Sequence, residues 1–395
     1  MMFWCGRKEH ATVVVDVGSS SVGASLVVID KKDAPRIVVS AREDMPFRKK
    51  LDHEDLISNT FKTIENVLSQ VTRQASGELY PRSVHVFLAS HLFLPSLRRL
   101  HIQKDVPFYV TKNFVDELIK IDVEKYKTEI FEKSLEEKKN DNVVFESKIP
   151  RICLNGYRTQ NPYDKYAHDL DITAYIGMAS RDFISGISTV VGKFYAGIVP
   201  IVHSFPFVGF NVVSDTLLHD NNFVFIDIGG ELTEVVVCRE NSISGLFSFP
   251  VGKNSLIRAI SERFSVGKAQ ALSLVRMYTE KQANSASDQK ILAAMEDTRL
   301  KFTDNLKKAL GVLSDKRLLP QAFYLVADDD VSPVFVEYLK SDKFGEFLAL
   351  NKEPFSMVIP SKFMEKFCHG QAGDVFMTIE AIFVDKLEKI KSWLL

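Results

Sequence analysis

Apolar residues recur along this chain in two rhythms, and the changes between them mark out its elements. Residues 12–30 form a β-branched run broken at Gly18, Ser19, Ser20 and Ser21, which predicts two strands joined by a tight turn. Leu56, Ile57, Phe61, Ile64, Leu68 and Val71 then recur at three- and four-residue steps, the period of an amphipathic helix, and Ser76 and Gly77 end it. Residues 83–89 (S-V-H-V-F-L-A) alternate as a strand does, and 111–120 reads as a short helix capped by Thr111. The charge-dense 136–141 predicts a solvated loop. Strand-like runs at 143–154 and 170–175 flank N-G-Y-R-T-Q-N-P-Y (155–163), whose turn formers predict a hairpin-type connection. Residues 181–195 are helical in pattern, and 197–202 return to strand.

The second half repeats this order. Residues 223–238 read as strand, Gly-Gly turn and strand, and 243–250 extends the sheet. Helical stretches follow at 255–264, 268–279 and 288–313, then a buried strand at 322–327 and a helix opening at 334–339. Near the end, Phe376, Ile379, Phe383, Leu387, Ile390 and Leu394 share one helical face, which predicts a closing helix packed on the first domain. Strands open each half and helices follow, so two α/β domains are expected. A length of 395 residues also exceeds one ordinary core.

Composition narrows the function classes. The net charge is −1 with no basic block, so no nucleic-acid partner is expected. Cys5, Cys153, Cys238 and Cys368 lie far apart without a CxxC, which fits free thiols in a reducing compartment. Cys368 and His369 are the single adjacent Cys/His pair, too little for a metal site. The most apolar stretch, 196–213, is interrupted by His203, Ser204 and Pro206, short of the ~18–20 residues a spanning helix needs. The first ten residues put apolar before basic positions, the wrong order for a secretory signal. A cytoplasmic protein is expected.

The chemistry concentrates in two similar turns. Val13–Val15 leads into D-V-G-S-S-S-V-G (16–23), and residues 223–226 lead into D-I-G-G-E-L-T (227–233). Glycines in a tight hairpin let backbone N–H groups approach an anion, and Ser or Thr hydroxyls add donors. An Asp ending a buried strand can hold a metal ion through its water shell beside a polyphosphate. One D-x-G turn alone reads as an ordinary hairpin. Two of them, each opening a domain-sized half, point to loops that clamp a nucleotide's phosphates across a cleft.

The pair resembles the actin-like superfamily, and within it the FtsA/PilM branch. Residues 16–22 resemble that branch's D-x-G-S-S-S-[VI] signature, 227–233 the second phosphate signature, and 249–260 (F-P-V-G-K-N-S-L-I-R-A-I) the segment after it. The order of helix, strand, N-G-Y with Asn-Pro, strand, helix and A-G-I-V-P-I-V (196–202) is similar to the small α/β module of FtsA, which places the chain closer to FtsA than to PilM. The resemblance implies a two-domain, ribonuclease H-like α/β fold. The first domain would take 1–100 and 181–215, an insert 101–180, the second domain 216–350 with a helical part at 255–318, and a C-terminal segment 351–395. It implies ATP and Mg2+ in the cleft, with Asp16 and Asp227 on the metal. Gly18, Ser19, Ser20 and Ser21 would take one phosphate face, Gly229, Gly230 and Thr233 the other, and Ala327 would lie at the adenosine turn. It further implies a scaffold at the inner face of the membrane that polymerises with itself and binds a tubulin-like division protein or the cytoplasmic tails of membrane proteins. A PilM-like pilus or secretion adaptor and a small-molecule kinase or ATPase are the alternatives.

Several positions depart from the family pattern. Glu231 replaces a glycine of the second loop, and a carboxylate there repels phosphate unless a metal bridges them. Ala327, Asp328 and Asp329 stand where relatives have the Gly-Gly adenosine turn. Ala269, Gln270 and Ser273 replace an A-E-x-x-K pattern, and H-S-F-P-F (203–207) stands where relatives orient the attacking water. Nucleotide binding is therefore expected to be weakened, with hydrolysis slow or absent. Glu231 is the one candidate left to orient water. The basic last turns, with Trp393, suggest a peripheral membrane contact.

Overall fold

The computed structural model describes residues 9–47, 53–75, 79–133, 141–216, 221–280, 285–315, 317–370 and 374–393. The chain begins with β1 (His10–Val17), β2 (Ser21–Ile29), β3 (Arg36–Asp44), α1 (His53–Gln74) and β4 (Ser83–Leu88). It continues through β5 (Leu94–Val110), α2 (Lys112–Lys133), β6 (Asn142–Leu154), β7 (Tyr157–Arg158) and β8 (Lys165–Ser180). Next come α3 (Arg181–Phe194), β9 (Ile201–Ser204), α4 (Phe205–Thr216), β10 (Phe223–Ile228), β11 (Thr233–Arg239) and β12 (Ser242–Phe249). Three helices follow, α5 (Lys253–Phe264), α6 (Lys268–Thr279) and α7 (Ser285–Ser314). The chain closes with β13 (Ala322–Ala327), α8 (Ser332–Lys340), β14 (Phe355–Val358), α9 (Ser361–Met364), β15 (His369–Gly370) and α10 (Val375–Trp393).

These elements build three sheets, ordered β15-β3-β2-β1-β4-β9, β12-β11-β10-β13-β14 and β5-β8-β6-β7. β1 is apolar throughout because both of its faces are covered. Val13, Val15 and Val17 pack under α1 and α3, while Val14 faces the core that holds α4 and α10. β10 divides in the same way, with Val224, Ile226 and Ile228 toward α5, α7 and α8 and Phe223 and Phe225 toward α4 and α10. The two helices thus lie between the two large sheets in one shared apolar core. This is the expected α/β architecture.

α10 uses its apolar face inward. Ile379 and Phe383 are buried, and Phe376 and Leu387 pack against the same core. The side chains of 390–395, including Trp393, lie outside the described residues. Among the described residues, no helix is long and apolar enough to cross a membrane.

The third sheet and α2 carry a core of their own, including Val110, Val115, Ile119, Leu170 and Ile172. Its strands run from Leu94 to Ser180, beside the expected insert of 101–180. Most of the expected charged loop lies outside the described residues, but Asp141 accepts from Arg181 Nε at 2.9 Å. The expected strand at 197–202 is displaced to Ile201–Ser204, because Gly197 turns the chain at φ 80°. Where α1 and α3 cross, a Cβ on Gly186 would sit 2.3 Å from Phe61 Cζ, and the Phe61 and Phe183 rings stack at 5.5 Å. Gly186→Ala is expected to cost about 1–3 kcal/mol through overpacking. A lower urea midpoint at unchanged slope would register it, and an unmoved midpoint would refute it.

Candidate functional site

The same local chemistry shapes both loops. Gly18 N donates to Ser21 O at 3.0 Å, and Gly229 N donates to Leu232 O at 3.0 Å. Asp16 and Asp227, each one residue before its strand's end, are both buried. The loops lie against each other instead of standing apart. Glu231 N donates to Ser19 Oγ at 2.8 Å, and a Cβ on Gly230 would fall 1.9 Å from Ser20 Oγ. The cavity left between them is about 40 Å³, lined by Asp16, Gly18, Ser19, Ser20, Ser21, Arg42, Asp227, Gly229, Gly230, Glu234 and Asp328 among others. A site for a small organic ligand needs about 300–1,000 Å³.

Arg42 of β3 holds the first loop. Its Nη2 donates to Asp16 Oδ2 at 2.6 Å, Nε to Asp374 Oδ2 at 2.5 Å and Nη1 to Ser21 Oγ at 2.9 Å. Burial disfavours its charge, but Asp374 and Asp16 outweigh that and raise its pKa. Burial raises the pKa of Asp16, with Arg42 opposing and Asp374 adding to it. Beside them Glu380 of α10 is fully buried, and its carboxyl hydrogen-bonds Asp16. Burial and then Asp16 push its pKa well above the usual carboxylate range.

At the second loop, Asp227 and Glu234 are cross-strand partners on β10 and β11. Ser90 Oγ donates to Glu234 Oε1, and the Asp227 and Glu234 carboxyls hydrogen-bond to each other, which requires a shared proton. Burial, with Asp16 and Asp328 adding to it, pushes the Asp227 carboxyl up to about 8. Glu234 is also raised well above the usual carboxylate range, by burial and by Asp227.

Cations from α5 and α6 meet the remaining acids. Arg258 grips Glu231 with both prongs, Nη1 to Oε1 at 3.0 Å and Nη2 to Oε2 at 2.6 Å, and Asn254 Nδ2 adds a bond to Oε1 at 2.7 Å. The charge expected to repel phosphate is thus balanced by an arginine, a partner sequence reasoning did not find. Its signal was present, since Asn254 and Arg258 stand four apart on one helix face. Lys253 Nζ bonds Asp328 Oδ2 at 2.8 Å and Asp330 Oδ2 at 3.2 Å. That ion cluster occupies the place of the adenosine turn.

Six of the expected phosphate-binding residues therefore come together with Asp16 and Asp227. Thr233 and Ala327 do not line the cavity. Thr233 Oγ1 is spent on Val251 O at 2.7 Å, and Ala327 is buried at the end of β13. Of H-S-F-P-F, Phe205 lines the cavity, while His203 and Ser204 make structural contacts. His203 Nε2 lies 2.9 Å from His85 Nδ1, and Ser204 N donates to Glu146 Oε2 of the insert at 3.0 Å.

Two sheets flanking a pair of helices, with a glycine turn at the head of each, define the two-domain actin-like ATPase fold. No protein-family model and no curated protein matches the sequence. Among solved structures, the chain is similar to one described as a PilM-PilN type IV pilus biogenesis complex, at 14% identity and TM-score 0.64, over 98% of this chain and 99% of that one. It also aligns with the ethanolamine utilization protein EutJ from Carboxydothermus hydrogenoformans at 13% identity and TM-score 0.45, over 96% and 90% of the two chains.

The residues present do not fit the nucleotide and divalent ion that the fold implies. A cation beside Asp16 would meet the Arg42 guanidinium, and the touching loops leave no room for a triphosphate. The Asp227–Glu234 carboxyl pair suits a shared proton.

Proposed function

We propose that this chain is an actin-fold adaptor of the PilM type, which holds a segment of a membrane-anchored partner. Its interdomain cleft serves as a closed joint and does not turn over ATP. The observation that carries this reading is Arg42 on Asp16, where a nucleotide-dependent protein needs a metal. The end-to-end similarity to a PilM-PilN structure supports the adaptor over the division scaffold, which rests on the order of elements in the insert. The kinase reading lacks an acid at H-S-F-P-F. Calorimetric titration with ATP, with and without Mg2+, is expected to show no binding up to millimolar nucleotide. Turnover that requires Mg2+ and is lost in Asp16→Ala would overturn the proposal. Co-purification with a tubulin-like division protein instead of a pilus inner-membrane protein would restore the FtsA reading.

A further inference from the structure

A second and far larger space lies elsewhere. A groove of about 1260 Å³ runs between the insert and the second domain, and it shares no lining residue with the interdomain cavity. β12 forms one wall and β5, β8 and β6 of the insert form the other, with β5 and β12 each the terminal strand of its sheet. All seven residues from Ser242 to Ser248 line it. A strand that offers only a face presents alternate residues, so β12 turns its edge toward the groove. Edges of this kind are templates for a further strand.

Cations outnumber acids in the groove, with four arginines lining it against Asp171 and Asp315. Arg99 from β5, Arg239 from the end of β11 and Arg317 after α7 all line it. Among the described residues no carboxylate stands within ion-pair distance of any of the three. Backbone carbonyls hold two of them in place, with Arg99 Nη2 on Ser244 O at 2.9 Å and Arg239 Nη1 on Leu318 O at 2.9 Å. Burial, then Arg317 and Arg99, lower the pKa of Arg239, so like charges repel there. Of the two acids among the groove's described lining residues, Asp171 is taken up by His101 Nδ1 at 2.8 Å, and Asp315 stands exposed just after α7. Leu97, Leu313 and the exposed Val312 supply apolar surface between the cations.

We propose that this groove binds an acidic, extended segment of a partner protein, whose backbone pairs with the edge of β12 while its carboxylates meet Arg99, Arg239 and Arg317. The proposal rests on the adaptor reading and names the class of segment captured. The groove offers two guanidinium groups held in place and a third at its exposed rim, and fork-shaped donors favour carboxylates. Such binding weakens as salt screens the charges.

The test is fluorescence anisotropy of the full chain with a labelled alternating Glu-Val heptapeptide, its Gln-Val counterpart, and a single-stranded oligothymidylate of equal charge. The Glu peptide is expected to bind at least tenfold tighter than the Gln peptide. Its affinity should fall severalfold between 50 and 300 mM salt, and at least tenfold in Arg99→Glu/Arg317→Glu. If melting shows that variant unfolded, Arg317→Ala, at an exposed position, replaces it with an expected loss of about threefold. Equal binding of the two peptides, full affinity in the folded variant, or tighter binding of the oligonucleotide would each overturn the groove assignment. Those failures leave the adaptor reading standing as long as ATP is not turned over, whereas Mg2+-dependent turnover ends that reading whatever the peptides do.

Discussion

Arg42→Ala is expected to lower stability by about 3 kcal/mol at pH 8, the low end of the range for breaking a buried ion pair. The side chain keeps 27% exposure, and this is why the lower figure applies. Three carboxyl groups depend on that one guanidinium. Asp16 and Asp374 accept from it directly, and the buried Glu380 carboxyl hydrogen-bonds Asp16. Without the cation, the pKa of Asp16 climbs further above its unfolded value. A carboxyl raised in the folded state favours folding below its unfolded pKa and loses that contribution as pH rises through the folded one. The deficit should therefore shrink between pH 8 and pH 5. Arg42→Lys keeps the charge but cannot reach three acceptors with one fork, so it should fall between the two. Urea denaturation at both pH values decides the matter. A deficit below 1 kcal/mol, or one of equal size at pH 5 and pH 8, would show that Arg42 does not hold the loop.

That residue also marks where the sequence stops being legible. The two loops could be read because D-x-G between apolar strands is turn chemistry, settled within a few residues. The strand at 322–327 and the helix at 268–279 are found where their patterns put them. Arg42 gives no such signal. It stands in β3, whose alternation of apolar and charged residues is half solvent-facing. Only the β2–β3 register, with Gly23 opposite Arg42, brings it beside Asp16. The missing side chain of Gly23 leaves the space that the guanidinium fills, since a Cβ there would lie 2.8 Å from Nη2. β5 was missed because its second half is exposed on both faces and has no period to read. α4 was missed for the opposite reason. Buried between two sheets on nearly every side, it has no polar stripe. The contact between the loops is set by how the domains close, and no local pattern encodes that.

Stability is expected to fall as pH rises from 6 toward 8, with Asp227 and Glu234 as the cause. Asp227 is pushed up to about 8 by burial, and Glu234 is raised beyond the usual range by burial and by Asp227. Unfolded, such groups ionise near pH 4. Between the unfolded and folded pKa values the native state binds more protons than the unfolded chain. Each raised group then removes up to about 1.4 kcal/mol per pH unit. Above the folded pKa of Asp227 its share of the slope vanishes. Asp227→Asn removes one titrating group and supplies an amide N–H that can donate to Glu234. The variant should match the wild type near pH 5 and exceed it by about 1–3 kcal/mol at pH 8, because replacing a buried charge by a neutral isostere is commonly stabilising. Millimolar Mg2+ should leave the wild-type curve unchanged if the cleft is a closed joint. A Mg2+-dependent gain at pH 8 that disappears in Asp227→Asn would instead make these two carboxylates a cation site and reopen the case for nucleotide. Parallel pH curves for the two proteins would place the titration elsewhere in the fold.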